Sequence, residues 1–141
     1  MTEAELLKLI EDGENIRVEF KKSTTEITKD VYDTVCSFSN RDGGIILLGV
    51  KDNGEILGVA PDAVDRMKKD FVPSINNGQK INPPLYLQPE ACTVDGRTLL
   101  VIQVPSGSQV CRHHGRIFDR SHEADIDITD NSDMVYQLYA R

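Results

Sequence analysis

The run Gly43-Gly44-Ile45-Ile46-Leu47-Leu48-Gly49-Val50 constrains this chain more than any other segment. Its β-branched and leucine side chains do not alternate with polar ones, so it predicts a strand buried on both faces. Such a strand sits inside a sheet with other elements packed against it. At eight residues it is also the longest apolar run, far short of the roughly 18 that a membrane span requires. Gly49 within it points to the close approach of another backbone or of a ligand, although simple packing accounts for it equally well.

The flanking pattern predicts a mixed α/β (α+β-like) domain over residues 1–141, with a largely antiparallel sheet built from hairpins and helices packed against it. Thr2 and Glu5 have capping-box spacing ahead of Leu6, Leu7, Leu9 and Ile10, which predicts a first helix ending at Gly13. Arg17–Lys21 alternates with period 2 and reads as a strand. Val31, Val35 and Phe38 mark a second helix. Asp52-Asn53-Gly54 is a hairpin signal, with Glu55–Val59 expected as the returning strand. Pro61-Asp62 opens a third helix through Val64, Met67 and Phe71. Ala91–Val94 and Thr98–Val104 flank Asp95-Gly96 as a second hairpin, and a third is expected to turn near His113-His114-Gly115. Thr129 or Asp130 is expected to cap a last helix carrying Met134, Val135, Leu138 and Tyr139 on one face.

The 16 basic residues stand against 23 acidic ones, a net charge of −7. A domain this acidic is not a generic polyanion binder, but a local basic patch remains open to it. Residues 109–122 hold three arginines, all three histidines and one aspartate, and residues 123–133 hold five acids and no base. On a strand, Arg116, Phe118 and Arg120 project to the same side. An aromatic ring between two arginines suits a base and its phosphates. A strand salt-bridged to the acids that follow it fits the pattern equally well. Lys21-Lys22 suits phosphates or the solvated end of a strand.

Glu14, Glu19 and Asp52 come from separate predicted elements. Three converging carboxylates would suit a divalent ion and a phosphate, but each also reads as an ordinary loop, strand or turn acid. The glycines open a strand rather than a helix and match neither a P-loop nor a dinucleotide fingerprint. Three cysteines, with no metal-like spacing, point to a reducing, cytoplasmic setting. Cys111, His113, His114 and His122 match no zinc spacing.

Taken together, Glu14-x4-Glu19-Phe20-Lys21, Cys36-Ser37-Phe38-Ser39-Asn40-x2-Gly43-Gly44 and Leu48-Gly49-Val50-x-Asp52-x-Gly54-x-Ile56-x-Gly58 resemble the Schlafen AlbA-type domain. Ile81-x-Pro83-Pro84, Val104-Pro105 and Ile117-Phe118-x-Arg120 follow in the same order. The resemblance implies a nucleic-acid-binding domain of prokaryotic regulators, often joined to a winged helix. In animal relatives it implies an endoribonuclease that acts on transfer RNA through three acids, which match Glu14, Glu19 and Asp52.

Three expectations result. The first is a DNA- or RNA-binding module, a homodimer needing no cofactor, that uses Lys21, Lys22, Arg112, Arg116, Phe118 and Arg120. The second is a magnesium- or manganese-dependent ribonuclease with Glu14, Glu19 and Asp52 as metal ligands. The third is an acidic interaction domain presenting residues 123–133 to a basic partner.

Overall fold

The computed structural model describes every residue from Met1 to Arg141. The Thr2 hydroxyl accepts from the Glu5 backbone N–H and the Glu5 carboxylate accepts from the Thr2 N–H, both at 3.1 Å. This capping box opens α1 (Glu3–Asp12). Then follow β1 (Val18–Lys21), α2 (Lys29–Ser39) and β2 (Gly44–Leu48). A single 3-10 turn at Pro61–Ala63 leads into α3 (Val64–Ile75). The rest of the chain forms β3 (Ile81–Asn82), β4 (Glu90–Val94), β5 (Arg97–Val104), β6 (Arg112–His113), β7 (Arg116–Ser121), β8 (Ala124–Asp127) and α4 (Ser132–Ala140).

The strands make two four-stranded sheets, ordered β1-β2-β5-β4 and β3-β6-β7-β8. β1 runs parallel to β2, and every other pairing is antiparallel. The first sheet is covered on both faces, as the uninterrupted apolar run requires. Ile46 and Leu48 of β2, with Leu100, Ile102 and Val104 of β5, pack among α2 and α3 residues such as Val35, Phe38, Met67 and Phe71. Leu47, Leu99 and Val101 point the other way and pack with Leu6 and Ile10 of α1. In the second sheet, Ile117 joins Ile128 and Leu138 in a smaller cluster beneath α4.

Two glycines hold this arrangement together where no larger residue fits. Gly43 has φ +78°, and a Cβ there would lie 2.6 Å from the Val104 carbonyl oxygen. Gly49 has φ +101°, and its carbonyl accepts from the Leu57 and Gly58 N–H groups, both at 2.9 Å. The close approach expected at Gly49 is therefore that of the chain's own backbone.

That contact overturns the first predicted hairpin. The chain turns at Asp52-Asn53-Gly54, but residues 55–59 form no strand, only a single bridge between Val50 and Ile56. The backbone donors that would build a ladder are diverted, with Leu57 and Gly58 bonded to Gly49 and Val59 to Thr98. The Asp95-Gly96 hairpin forms as expected, and so does the His114-Gly115 turn. The acidic segment adds a hairpin that the sequence reading did not anticipate, because β8 pairs with β7 from Phe118↔Asp127 to Ser121↔Ala124. α4 is capped by Asn131 rather than by Thr129 or Asp130. The Thr129 N–H and hydroxyl instead donate to Asp127, and Asp130 pairs with Arg116. No helix is long and apolar enough to cross a membrane.

Gly43→Ala combines an unfavourable φ with a backbone clash. It should lower unfolding stability by about 2 kcal/mol in urea titration; an unchanged midpoint would contradict this packing.

Candidate nucleic-acid interface and acidic groove

The strand that carries Arg116, Phe118 and Arg120 does not present them together. Arg116 is on the surface, but its Nε lies 2.8 Å from Asp127 and its Nη2 3.3 Å from Asp130. The hydrogen bond from Arg116 holds the Asp127 carboxyl down at about 2. Phe118 is half-buried, and its carbonyl accepts from Asn40 Nδ2 at 2.8 Å. Arg120 is only 2% exposed. Its Nη1 lies 2.9 Å from both Glu19 Oε1 and Asp125 Oδ1, the former an ion pair outside hydrogen-bond alignment. Its Nη2 donates to the carbonyls of Asn15 (2.9 Å) and Val18 (3.2 Å), and its guanidinium lies 4.8 Å from the Phe38 ring centroid. Arg120 is thus an interior group and not a contact for a ligand. Of the two readings of this strand, the salt-bridged one describes it.

Glu14, Glu19 and Asp52 line one groove of about 780 Å³, together with Lys21, Lys22, Asp30 and Glu123. Glu14 lies in the link between α1 and β1, and its Oε1 accepts from the Phe20 N–H at 3.1 Å. Burial and the neighbouring charge of Glu19 push its carboxyl up to about 7. Burial also raises Glu19, against the pull of Lys21 and Arg120. Lys21 loses some basicity to burial, but its hydrogen bond to Asp30 and the charge of Glu19 outweigh that and leave its pKa raised. Lys21 is therefore held between two carboxylates, at 2.9 Å from Asp30 and 3.4 Å from Glu19. Lys22 is exposed on the groove wall.

The three acids share a groove without forming a metal centre. No group of three or more His, Cys, Asp or Glu side chains is placed to hold one ion, and Glu19 is already engaged by Lys21 and Arg120.

Arg112, the remaining predicted contact, lines a second groove of about 650 Å³. With it are Arg141, Tyr139, Asn82, Ser108 and Gln109, and no carboxylate lines this groove. Arg112 Nη2 donates to the Tyr139 hydroxyl at 2.9 Å. Arg141 donates to the carbonyls of Ser39, Arg41 and Gly107. Both guanidinium groups thus bond to neutral oxygens and keep their charge unpaired. The sequence reading put Tyr139 on the apolar face of the last helix, yet it is 59% exposed while Leu138 takes the buried position. An aromatic residue next to a core leucine near the end of a helix was the available signal.

The family model for the Schlafen AlbA_2 domain matches residues 14–129. The chain belongs to that family. Among solved structures, one match is the N-terminal domain of a Nitrosomonas europaea protein named as related to the ATP-dependent DNA helicase RecG. The two are 30% identical over 75% of this chain and 74% of that domain, with a TM-score of 0.58. The DIP2311 protein of Corynebacterium diphtheriae matches 95% of this chain at 17% identity and a TM-score of 0.62, which shows a shared fold. This chain spans 31% of that protein. No curated protein matches.

Arg120→Ala removes the buried cation facing Glu19 and Asp125, together with its bonds to the Asn15 and Val18 carbonyls, and should cost about 3–5 kcal/mol in chemical unfolding. Arg116→Ala should leave the unfolding midpoint almost unchanged, because its pairs are exposed to solvent. Equal effects would refute the burial difference.

Glu14 also predicts a pH dependence. Its folded pKa of about 7 lies above its ordinary 4.5, so between those values the folded state binds more protons than the unfolded one. Stability therefore falls as pH rises through that window. Glu14→Gln should flatten the fall, and an unaltered slope would place Glu14 in ordinary solvent.

Proposed function

We propose that this chain is a nucleic-acid-binding module of DNA-binding type, and that its contact surface is the groove of Arg112, Arg141 and Tyr139. The observation that carries the reading is the distribution of unpaired charge. Arg116, Arg120 and Lys21 are matched by carboxylates, whereas Arg112 and Arg141 are not. Phosphates need uncompensated cations, and the exposed Tyr139 ring offers a stacking face beside one of them. Asn82, Ser108 and Gln109 add polar groups able to meet sugar or base edges. Family membership supports the same reading, as does the likeness to a domain from a protein named for a DNA helicase.

With a net charge of −7, the rest of the surface repels a polyanion. Binding is therefore weak and steeply salt-dependent, and a second copy of the chain would strengthen it by bringing a second groove to the same nucleic acid. In that role the chain is the contact part of a transcriptional regulator.

The ribonuclease reading stands second, on the gathering of Glu14, Glu19 and Asp52 with Lys21 and Lys22 in one groove. A carboxyl that titrates near neutrality is suited to proton transfer. Transfer RNA incubated with the protein, with manganese and with chelator, separates the two readings. Cleavage abolished by Asp52→Asn, at an exposed position of the groove, would favour the enzyme, and intact RNA in every lane would leave the binding module.

Fluorescence anisotropy on a labelled DNA duplex tests the first reading. Arg112→Ala should weaken binding by about tenfold and reduce the salt slope by about one. Tyr139→Ala should weaken single-strand binding more than duplex binding, and Arg116→Ala should change neither. Full affinity in Arg112→Ala would refute this surface.

A further inference from the structure

A smaller pocket, of about 300 Å³, shares no lining residue with either groove. Lys29, Tyr32, Ser74, Lys80, His113 and His114 line it. We propose that it binds a phosphate monoester, either the terminal phosphate of an oligonucleotide or that of a free mononucleotide.

The pocket is assembled from three separate parts of the chain. Lys29 and Tyr32 stand in the first turn of α2, where the helix dipole places partial positive charge. Lys80 is brought to the β6–β7 turn by its carbonyl, which accepts from the His114 N–H at 2.8 Å. Pairing of Ile81 with His113 fixes the adjoining register. The tyrosine wall is rigid, because the Tyr32 ring stacks on Phe71 with centroids 5.8 Å apart and planes 15° apart.

His113 is the built element of this site. It is 6% exposed, and its Nδ1 lies 2.6 Å from Asp33 Oδ1. Asp33 therefore takes one ring nitrogen, fixes the orientation of the imidazole and leaves Nε2 for a ligand. The ring of His114 follows at 4.5 Å between centroids.

Charge selects the ligand class. Both lysines are exposed and neither forms an ion pair, and no carboxylate lines the pocket. Two ammonium groups beside two imidazoles match a monoester, which carries between one and two negative charges near neutrality, better than a singly charged diester. A continuous backbone must pass across a site, whereas an end group can enter a pocket of this size. Where the ligand is an oligonucleotide end, the assignment rests on the nucleic-acid reading; the phosphate site itself does not.

The test uses the whole chain with three probes: inorganic phosphate, adenosine 5′-monophosphate, and a single-stranded 12-mer with either a 5′-phosphate or a 5′-hydroxyl. NMR follows the imidazole signals of His113 and His114, and anisotropy follows the 12-mers. Inorganic phosphate should shift both imidazoles in the native protein. It should shift neither in the double variant Lys29→Ala, Lys80→Ala, whose changes are on the surface and whose melting temperature serves as the folding control. The 5′-phosphorylated 12-mer should bind about tenfold more tightly than its 5′-hydroxyl twin, and the double variant should erase that difference. Arg112→Ala should weaken both 12-mers equally.

A response to phosphate and to the mononucleotide, with no preference between the 12-mers, would support the pocket and assign it to a free nucleotide. No imidazole shift with phosphate or mononucleotide, together with equal 12-mer affinities, would overturn the proposal. Loss of all 12-mer binding with the phosphate shifts intact would refute the nucleic-acid reading and leave the phosphate site standing.

Discussion

The Arg120 guanidinium lies inside the protein, between the two sheets. It faces Glu19 of β1 and Asp125 of β8, donates to two carbonyls beside β1, and rests on the Phe38 ring of α2. Through Glu19 and those two carbonyls, one cation ties β7 to β1, a strand of the other sheet with which it shares no backbone ladder. Desolvating it is costly, and its Nε finds no partner. The cost is met by two carboxylates and two carbonyls held at bonding distance. Such a group enforces one arrangement, because a shift of either sheet would leave a buried charge unmatched. Asn40 makes a neutral version of the same link, with its amide donating to Cys111 and Phe118 carbonyls and accepting from the Cys111 N–H.

This lock determines where charge is available for function. Asp125, Asp127 and Asp130 turn back onto Arg120 and Arg116, so the acidic segment closes a hairpin instead of facing a basic partner. The groove of Glu14, Glu19 and Asp52 keeps a surplus of acid, and burial together with the charge of Glu19 pushes the Glu14 carboxyl to about 7. Cations without a carboxylate partner flank the short β3–β6 pairing, with Arg112 toward one cavity and Lys80 at another. A domain of net charge −7 can in this way still present local surfaces that attract phosphate.

Local chemistry was legible in the sequence wherever its partners were also local. Thr2 and Glu5 cap each other, Asp95-Gly96 turns a hairpin, and the run 44–48 is buried on both faces, because each depends on neighbours a few residues away. The gathering of Glu14, Glu19 and Asp52 was legible only through the family resemblance, since spacing alone did not distinguish it from three surface acids. Arg120 shows the limit of strand periodicity. Alternation places it on the same side as Arg116 but does not reveal that Phe38, Asn15 and Val18 cover one end of that side. Asp52-Asn53-Gly54 turns as its residues prefer, yet Gly49 captures the donors that a returning strand would need. The pocket of Lys29, Lys80 and His113 combines residues from three distant parts of the sequence, with no motif to announce it.

The central claim is that Arg112 and its neighbours meet nucleic acid while Arg120 and the acidic groove do not. Backbone amide shifts recorded during titration with a short DNA duplex would test it most directly. The expected changes concentrate at Asn82, Ser108–Arg112 and Leu138–Arg141, with Glu14, Glu19, Lys22 and Asp52 unmoved. Changes centred on that acidic groove, with the Arg112 region silent, would contradict it.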